Sequence, residues 1–121
     1  MSNATFIQPK LIPVSDLNWK LAEVYEVRLP YIMFTIPKDF ITDLASVPRF
    51  MWSLYPPFGL HTGPAVAHDY LYRTPQMRIA REEADKVFLD LMRLAGVGSR
   101  QATIMYDAVR LFGSSSYVAR H

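Results

Sequence analysis

The sequence predicts an α+β domain: a small antiparallel N-terminal sheet, then a three-helix C-terminal layer whose first two helices form an antiparallel pair. Three observations predict it. Seven of the nine prolines and most of the β-branched and aromatic runs fall in residues 1–60, which suits strands and turns. Residues 63–112 instead repeat their apolar positions at helical spacing. With 121 residues, half of them hydrophobic, the chain is of ordinary domain size. Residues 1–121 are therefore read as a single domain, strand-rich over 1–60 and helical over 61–121.

In the first part, Thr5 to Val14 predicts a short edge strand, because Pro9 and Pro13 suit an edge better than a central position. Trp19 to Leu29 is rich in β-formers (Leu21, Val24, Tyr25, Val27), Pro30 breaks it, and Tyr31–Ile36 resumes, which predicts two neighbouring strands with a tight connection. Leu54 to Gly59 reads as a loop around Pro56-Pro57. In the second part, Gly63-Pro64 opens a helix that runs through Tyr72 and ends near Thr74, which precedes Pro75. A second helix is predicted from about Ile79 to Ala95, closed by Gly96, and a third from an N-cap at Ser99 to about Phe112, closed by Gly113.

Composition removes several function classes. There is no cysteine, so disulfides, thiolate chemistry and cysteine zinc sites are excluded. Thirteen basic against eleven acidic residues leave a net charge of +2, too small an excess to indicate nucleic acid. No apolar run reaches the roughly 18 residues of a membrane span. Met1 to Thr5 lacks a basic start, so no secretory signal peptide is expected. No P-loop, dinucleotide fingerprint or nucleophile elbow is present.

One constellation stands out. His68 and Tyr72 lie four apart, on nearly the same face of the first predicted helix, with Asp69 about 100° round. On the second helix Lys86, Asp90 and Arg93 share the wet side, whereas Asp85 lines up with the apolar Leu89 and Met92. A carboxylate on an apolar face needs a partner, and an antiparallel pair of helices brings His68 within its reach. Two readings remain open: a polar tie inside the core, or a carboxylate that orients His68 as a general base. Asp69 would then face a neighbouring pocket, where it could bind a cation or a loop amide.

The pattern His68-Asp69-x-x-Tyr72 followed by Ala84-Asp85-x-x-Phe88 resembles the helix pair of phospholipases A2, most closely the compact viral-capsid and prokaryotic types. The resemblance spans about residues 63–95. It implies that His68 activates a water, that Asp85 orients it, that Asp69 binds calcium and that Tyr72 supports the network. Where that family places a glycine-rich calcium loop, this chain has Thr42-Asp43-Leu44-Ala45-Ser46-Val47-Pro48-Arg49 and a Pro-Pro loop.

A wider set of motifs is similar to a family of small phage and prophage proteins catalogued as a domain of unknown function. Phe40-x-Thr42-Asp43-Leu44-Ala45-Ser46-Val47-Pro48-Arg49 is followed by Ala67-His68-Asp69-Tyr70-Leu71-Tyr72. Arg81-x-x-Ala84-Asp85-x-x-Phe88 comes next, then Tyr106-x-x-Val109-Arg110-x-Phe112-Gly113. This resemblance implies a phage setting, with other phage proteins as partners and the virion or host bacterial cytoplasm as location. Within the first motif, Asp43 and Ser46 read as loop-locking caps or as the edge of the site, and Arg49 as a partner for one of its carboxylates.

Other features have competing readings. His61, His68, Asp69 and Asp85 together could hold a metal. Phe50, Trp52, Tyr55 and Phe58 could be core, a lipid-sized pocket or a contact surface. Arg73, Arg78 and Arg81 read as a solvated face. Two functions follow from the whole. One is a non-catalytic virion, tail or assembly component that keeps the His-Asp network as scaffold. The other is a small phospholipase A2-like hydrolase in which His68 and Asp85 activate water against membrane phospholipid, with or without calcium.

Overall fold

The computed structural model describes residues 6–44, 51 and 58–117. Five strands precede three helices: β1 (Leu11–Ser15), β2 (Asn18–Leu21), β3 (Tyr25–Leu29), β4 (Ile32–Ile36), β5 (Ile41–Thr42), α1 (Thr62–Arg73), α2 (Arg81–Ala95) and α3 (Ser99–Phe112). The strands make two antiparallel sheets, β1-β2-β5 and β3-β4.

The run read as one strand from Trp19 to Leu29 is two. The chain turns at Ala22-Glu23, where the Ala22 N–H donates to Lys10 O at 2.8 Å, and β3 starts the second sheet. In that sheet side chains alternate strictly. Tyr25 and Val27 face the core opposite Ile36 and Phe34, while Glu26, Arg28, Met33 and Thr35 face out. Pro30-Tyr31 forms the connection, since Leu29 pairs directly with Ile32. The N-terminal edge strand is β1, and Pro13 lies in it beside a register shift.

The helices begin and end for local reasons. α1 starts at Thr62, whose hydroxyl accepts the Gly59 N–H at 2.8 Å, and it stops at Arg73, before Thr74-Pro75. A 3-10 turn over Pro75–Met77 delays α2 to Arg81 instead of Ile79. Glu83 reaches back to accept the Ala80 N–H at 3.1 Å, the half of a capping box that an alanine N-cap permits. Gly96, at φ 92°, ends α2, and the Val97 N–H bonds to Met92 O at 2.9 Å in the pattern of a left-handed helix cap. Ser99 is the first residue of α3 and Gly98 its N-cap, one residue earlier than the sequence indicates.

Val66, Leu71, Phe88, Met92 and Met105 from the helices share one apolar cluster with Leu21, Ile36 and Leu44 from the strand-rich part. α1 packs directly against α2, and α2 against α3. Among the described residues no helix is long and apolar enough to cross a membrane.

Gly113 follows α3 in right-handed conformation (φ −84°), so it is not the left-handed cap that its position suggests. A Cβ there would lie 2.5 Å from Val109 O and 2.9 Å from the Tyr72 hydroxyl. The glycine lets the end of α3 close down on α1. Gly113→Ala is expected to destabilise the fold by about 1–3 kcal/mol. Gly98→Ala, where an added Cβ meets nothing within 4 Å, should cost less than about 1 kcal/mol. Equilibrium denaturation of the two variants checks this.

Candidate functional site

Asp85 sits in the second turn of α2, and its side chain is 0% exposed. Helical spacing places it on the face that α1 covers, so its carboxylate meets the one-turn pair His68 and Tyr72. His68 Nε2 lies 2.6 Å from Asp85 Oδ1, and the Tyr72 hydroxyl donates to the same oxygen at 2.5 Å. A carboxylate can only accept, so the ring proton resides on Nε2. The other oxygen, Oδ2, receives Arg110 Nη1 from α3 at 2.5 Å. Arg81 Nε is 4.0 Å from Oδ2 and donates to the Tyr72 hydroxyl at 3.2 Å. The Arg81 guanidinium also caps α3, bonding Val109 O and Arg110 O at 2.8 and 2.7 Å.

The electrostatics follow from these partners. Burial pushes the Asp85 carboxyl up. The hydrogen bonds from His68 and Tyr72, the neighbouring His68 charge and the Arg110 guanidinium together outweigh it and hold Asp85 below the usual carboxylate range. Burial and the adjacent carboxylate raise the Tyr72 phenol, and the bond to Asp85 raises Arg110 further. The imidazole is clamped between rings, with Tyr72 at 4.1 Å and Phe88 at 4.9 Å between centroids, and His68 is only 2% exposed.

Asp69 has different surroundings. Its Oδ2 accepts the Thr42 hydroxyl of β5 at 2.6 Å, and its Oδ1 accepts Arg73 Nε at 2.8 Å. Arg73 continues to the Ile41 carbonyl. Burial raises the Asp69 carboxyl, and the Thr42 bond and the Arg73 charge only partly offset this, while nearby Asp43 adds to the rise. A cavity of about 200 Å³ is lined by Asp43, His68, Asp69 and Tyr72 together with Val109 and Phe112 at the end of α3.

His68, Asp69, Tyr72, Asp85 and Asp43 are thus gathered around one cavity or its immediate backing. Ser46 and Arg49, and of the aromatic cluster Phe50, Trp52 and Tyr55, lie outside the described residues. Phe58 is half-exposed and packs edge-on against Trp19 at 5.1 Å. His61 is buried at the start of α1, and among the described residues no group of three histidines or carboxylates could hold a metal. Arg73 and Arg81 are not a simple solvated face. Each is fastened to the site, Arg73 while still partly exposed, and Arg78 stands exposed in the connecting turn.

Sequence reasoning missed four participants: Thr42, Arg73, Arg81 and Arg110. Arg73 was reachable, because it lies four residues beyond Asp69 on one helix, and Arg81 stands likewise four before Asp85. Arg110 stands in the Tyr106–Gly113 motif, but nothing in that segment pairs it with Asp85. It comes to Asp85 from 25 residues away and depends on how α3 packs.

Residues 19–109 match the family described as "Protein of unknown function (DUF1353)". The chain belongs to this family. No match was found among curated proteins or among solved structures. The DUF1353 match takes in Thr42, Asp43, His68, Asp69, Tyr72, Arg73, Arg81 and Asp85, and stops one residue short of Arg110.

Asp85→Ala in this DUF1353 protein is expected to lower the unfolding free energy by about 3–5 kcal/mol, because it strands a buried imidazole, a buried phenol and a part-buried guanidinium. Asp90→Ala is the comparison. On the outer face of α2 Asp90 accepts Tyr31 and Lys86, at 2.6 and 2.8 Å, and its loss should cost about 1 kcal/mol or less. The Asp85 contribution also has a pH signature. A folded-state carboxyl held below its unfolded value stabilises fully above the ordinary carboxylate range, near pH 4. That stabilisation is lost as the pH falls through the folded value. The stability gap between the wild type and Asp85→Asn should therefore stay constant from about pH 7 to 5 and shrink steadily below about pH 4, in urea titrations across that range.

Proposed function

We propose that this protein is a phage or prophage component without catalytic activity, a virion, tail or assembly protein working with other phage proteins in the host cytoplasm or the particle. Its His-Asp network is a fastening between helices. The phage setting rests on the likeness of its motif set to small phage and prophage proteins. The non-catalytic reading rests on one observation: both oxygens of Asp85 are committed to donors from α1 and α3, one of them the Arg110 guanidinium. A carboxylate strengthens an imidazole base by compensating the charge it acquires. Here a permanent cation already compensates that carboxylate, which weakens its pull on the His68 proton.

A second reading is favoured by the cavity that reaches His68 and Tyr72. It is a phospholipase A2-like hydrolase acting on membrane phospholipid, with His68 as base, Asp85 orienting it and Tyr72 supporting both. Calcium does not fit the described residues of such a site. Thr42 and Arg73 occupy the Asp69 oxygens, and among the described residues no three histidines or carboxylates are arranged to hold an ion. No step of this reading is routed through the ion.

Turnover of phospholipid vesicles and of a soluble aryl ester, with and without calcium, separates the two. The fastening reading expects no turnover above the blank and no calcium-dependent shift in melting. It also expects His68→Gln to lower Tm by roughly 5 °C or more, as loss of a buried hydrogen bond should. Turnover that falls by about 10²-fold or more in His68→Gln, with Tm nearly unchanged, would overturn it in favour of the hydrolase.

A further inference from the structure

We propose that the outer edge of β3 pairs with the same edge of a second copy of this chain, joining two β3-β4 hairpins into one continuous sheet across a two-fold axis. The backbone prepares this edge. β3 has β4 on one side, and among the described residues no strand lies on the other. Leu29 pairs with Ile32 across a two-residue connection, so these two exchange hydrogen bonds and the ladder alternates from there. Tyr25, Val27 and Leu29 therefore turn their N–H and C=O groups to β4, whereas Glu26 and Arg28 turn theirs away. Among the described residues no backbone partner meets Glu26 or Arg28 on that side. Such a row of unpaired donors and acceptors is a template for another extended strand.

Charge selects a second copy as the occupant. Edges are commonly guarded by charges that repel an incoming strand. Here the edge carries one charge of each sign, Glu26 and Arg28, two residues apart on the outward face. An antiparallel copy centred on Val27 sets Glu26 opposite the copy's Arg28, and Arg28 opposite the copy's Glu26. Both are the positions whose backbone groups point outward, so hydrogen bonding and charge agree on one register. The adjacent registers that keep the bonding pattern set Glu26 against Glu26 or Arg28 against Arg28. Within one chain Arg28 touches Glu26 at 3.1 Å, but both are exposed, so exchanging this weak pair across the two-fold costs little. A groove of about 510 Å³ lies along the same edge, touching Glu23 to Arg28 and no residue of β4. Ile7, Val24 and Leu94 line it while more than half exposed. In an isologous interface each copy brings the same three side chains, and their burial supplies the apolar contact that a short strand pair lacks. The pairing uses neither His68 nor Asp85, so its test and the turnover assay fail independently.

Sedimentation equilibrium of the full chain, from roughly 1 μM to 1 mM, should show a concentration-dependent dimer. Glu26→Arg and Arg28→Glu each set like charges across the two-fold, and each should weaken the dimer by about tenfold or more. Both positions are exposed, so the variants should melt like the wild type. An equimolar mixture of the two variants should recover the dimer, because every cross-strand pair is then again of opposite sign. The chain carrying both exchanges should dimerise within about threefold of the wild type. Leu94→Lys, in the groove, should weaken the dimer. Leu111→Ser, exposed but outside the groove, should leave it unchanged. A monomer at every concentration, with the edge left to an extended segment of another protein, would overturn the pairing. So would a dimer that both charge reversals leave intact, one that their mixture does not restore, or one that Leu111→Ser abolishes.

Discussion

The buried carboxylate of Asp85 is the constraint on which the helical layer depends. An ionised group without solvent is unfavourable by several kcal/mol unless its partners are close and well directed. Asp85 therefore dictates what must surround it: a phenol and an imidazole from α1 on one oxygen, and a guanidinium from α3 on the other. Apolar packing alone would let three short helices slide or rotate with little penalty. A single acceptor with directional donors on both neighbouring helices fixes their register. Arg81 extends the arrangement by binding Tyr72 and capping α3 at the same time. The close approach at Gly113 then follows, because α3 is drawn down until its end touches Tyr72.

Asp69 shows how neighbours in sequence acquire opposite roles. His68 faces α2 and the helical core, whereas Asp69, about 100° round the helix, faces β5. Asp85 gathers enough positive and hydrogen-bonding partners to fall below its ordinary value. Asp69 is left above its own, because burial and Asp43 outweigh one threonine and one arginine. One carboxylate ties helix to helix and the other ties helix to strand. Their combined effect is a cavity walled by α1, the end of α3 and the turn after β5. Its polar wall is already largely occupied with internal bonds, which is why the arrangement reads first as a joint and only second as a reaction centre.

The pairing of His68 with Asp85 was legible because helical periodicity is local. Asp85 broke an apolar face, an intrahelical pattern that any helix in water must resolve, and a nearby helix offered a one-turn pair of polar side chains. Arg73 and Arg81 were legible in principle by the same four-residue spacing from Asp69 and Asp85, but a count of charge at the helix turn blurred them into a wet face. The pairing of Arg110 was not legible, since the Tyr106–Gly113 motif that contains it does not say which carboxylate it meets. Nor was the division of Trp19–Leu29 between two sheets, because β-propensity does not say which partner a strand finds.

By itself, then, the sequence determined the elements: strands before Pro37, helices after Gly63, breaks at Pro30, Pro75 and Gly96, and a histidine, a tyrosine and a buried aspartate aimed across one helix interface. Those are consequences of dihedral preference and periodic burial, which act within a few residues. Only the tertiary structure decided that Arg110 would neutralise Asp85, that Asp69 would be held by Arg73 and Thr42 rather than left open to a cation, and that Leu44 would be bent into a left-handed turn beside the cavity. Arg110 and Thr42 reach their carboxylates from segments distant in the chain, and Arg73, one turn from Asp69, is completed by the distant Ile41 carbonyl. The free energy of these long-range contacts depends on desolvation and charge in the assembled core, which no local pattern of residues encodes.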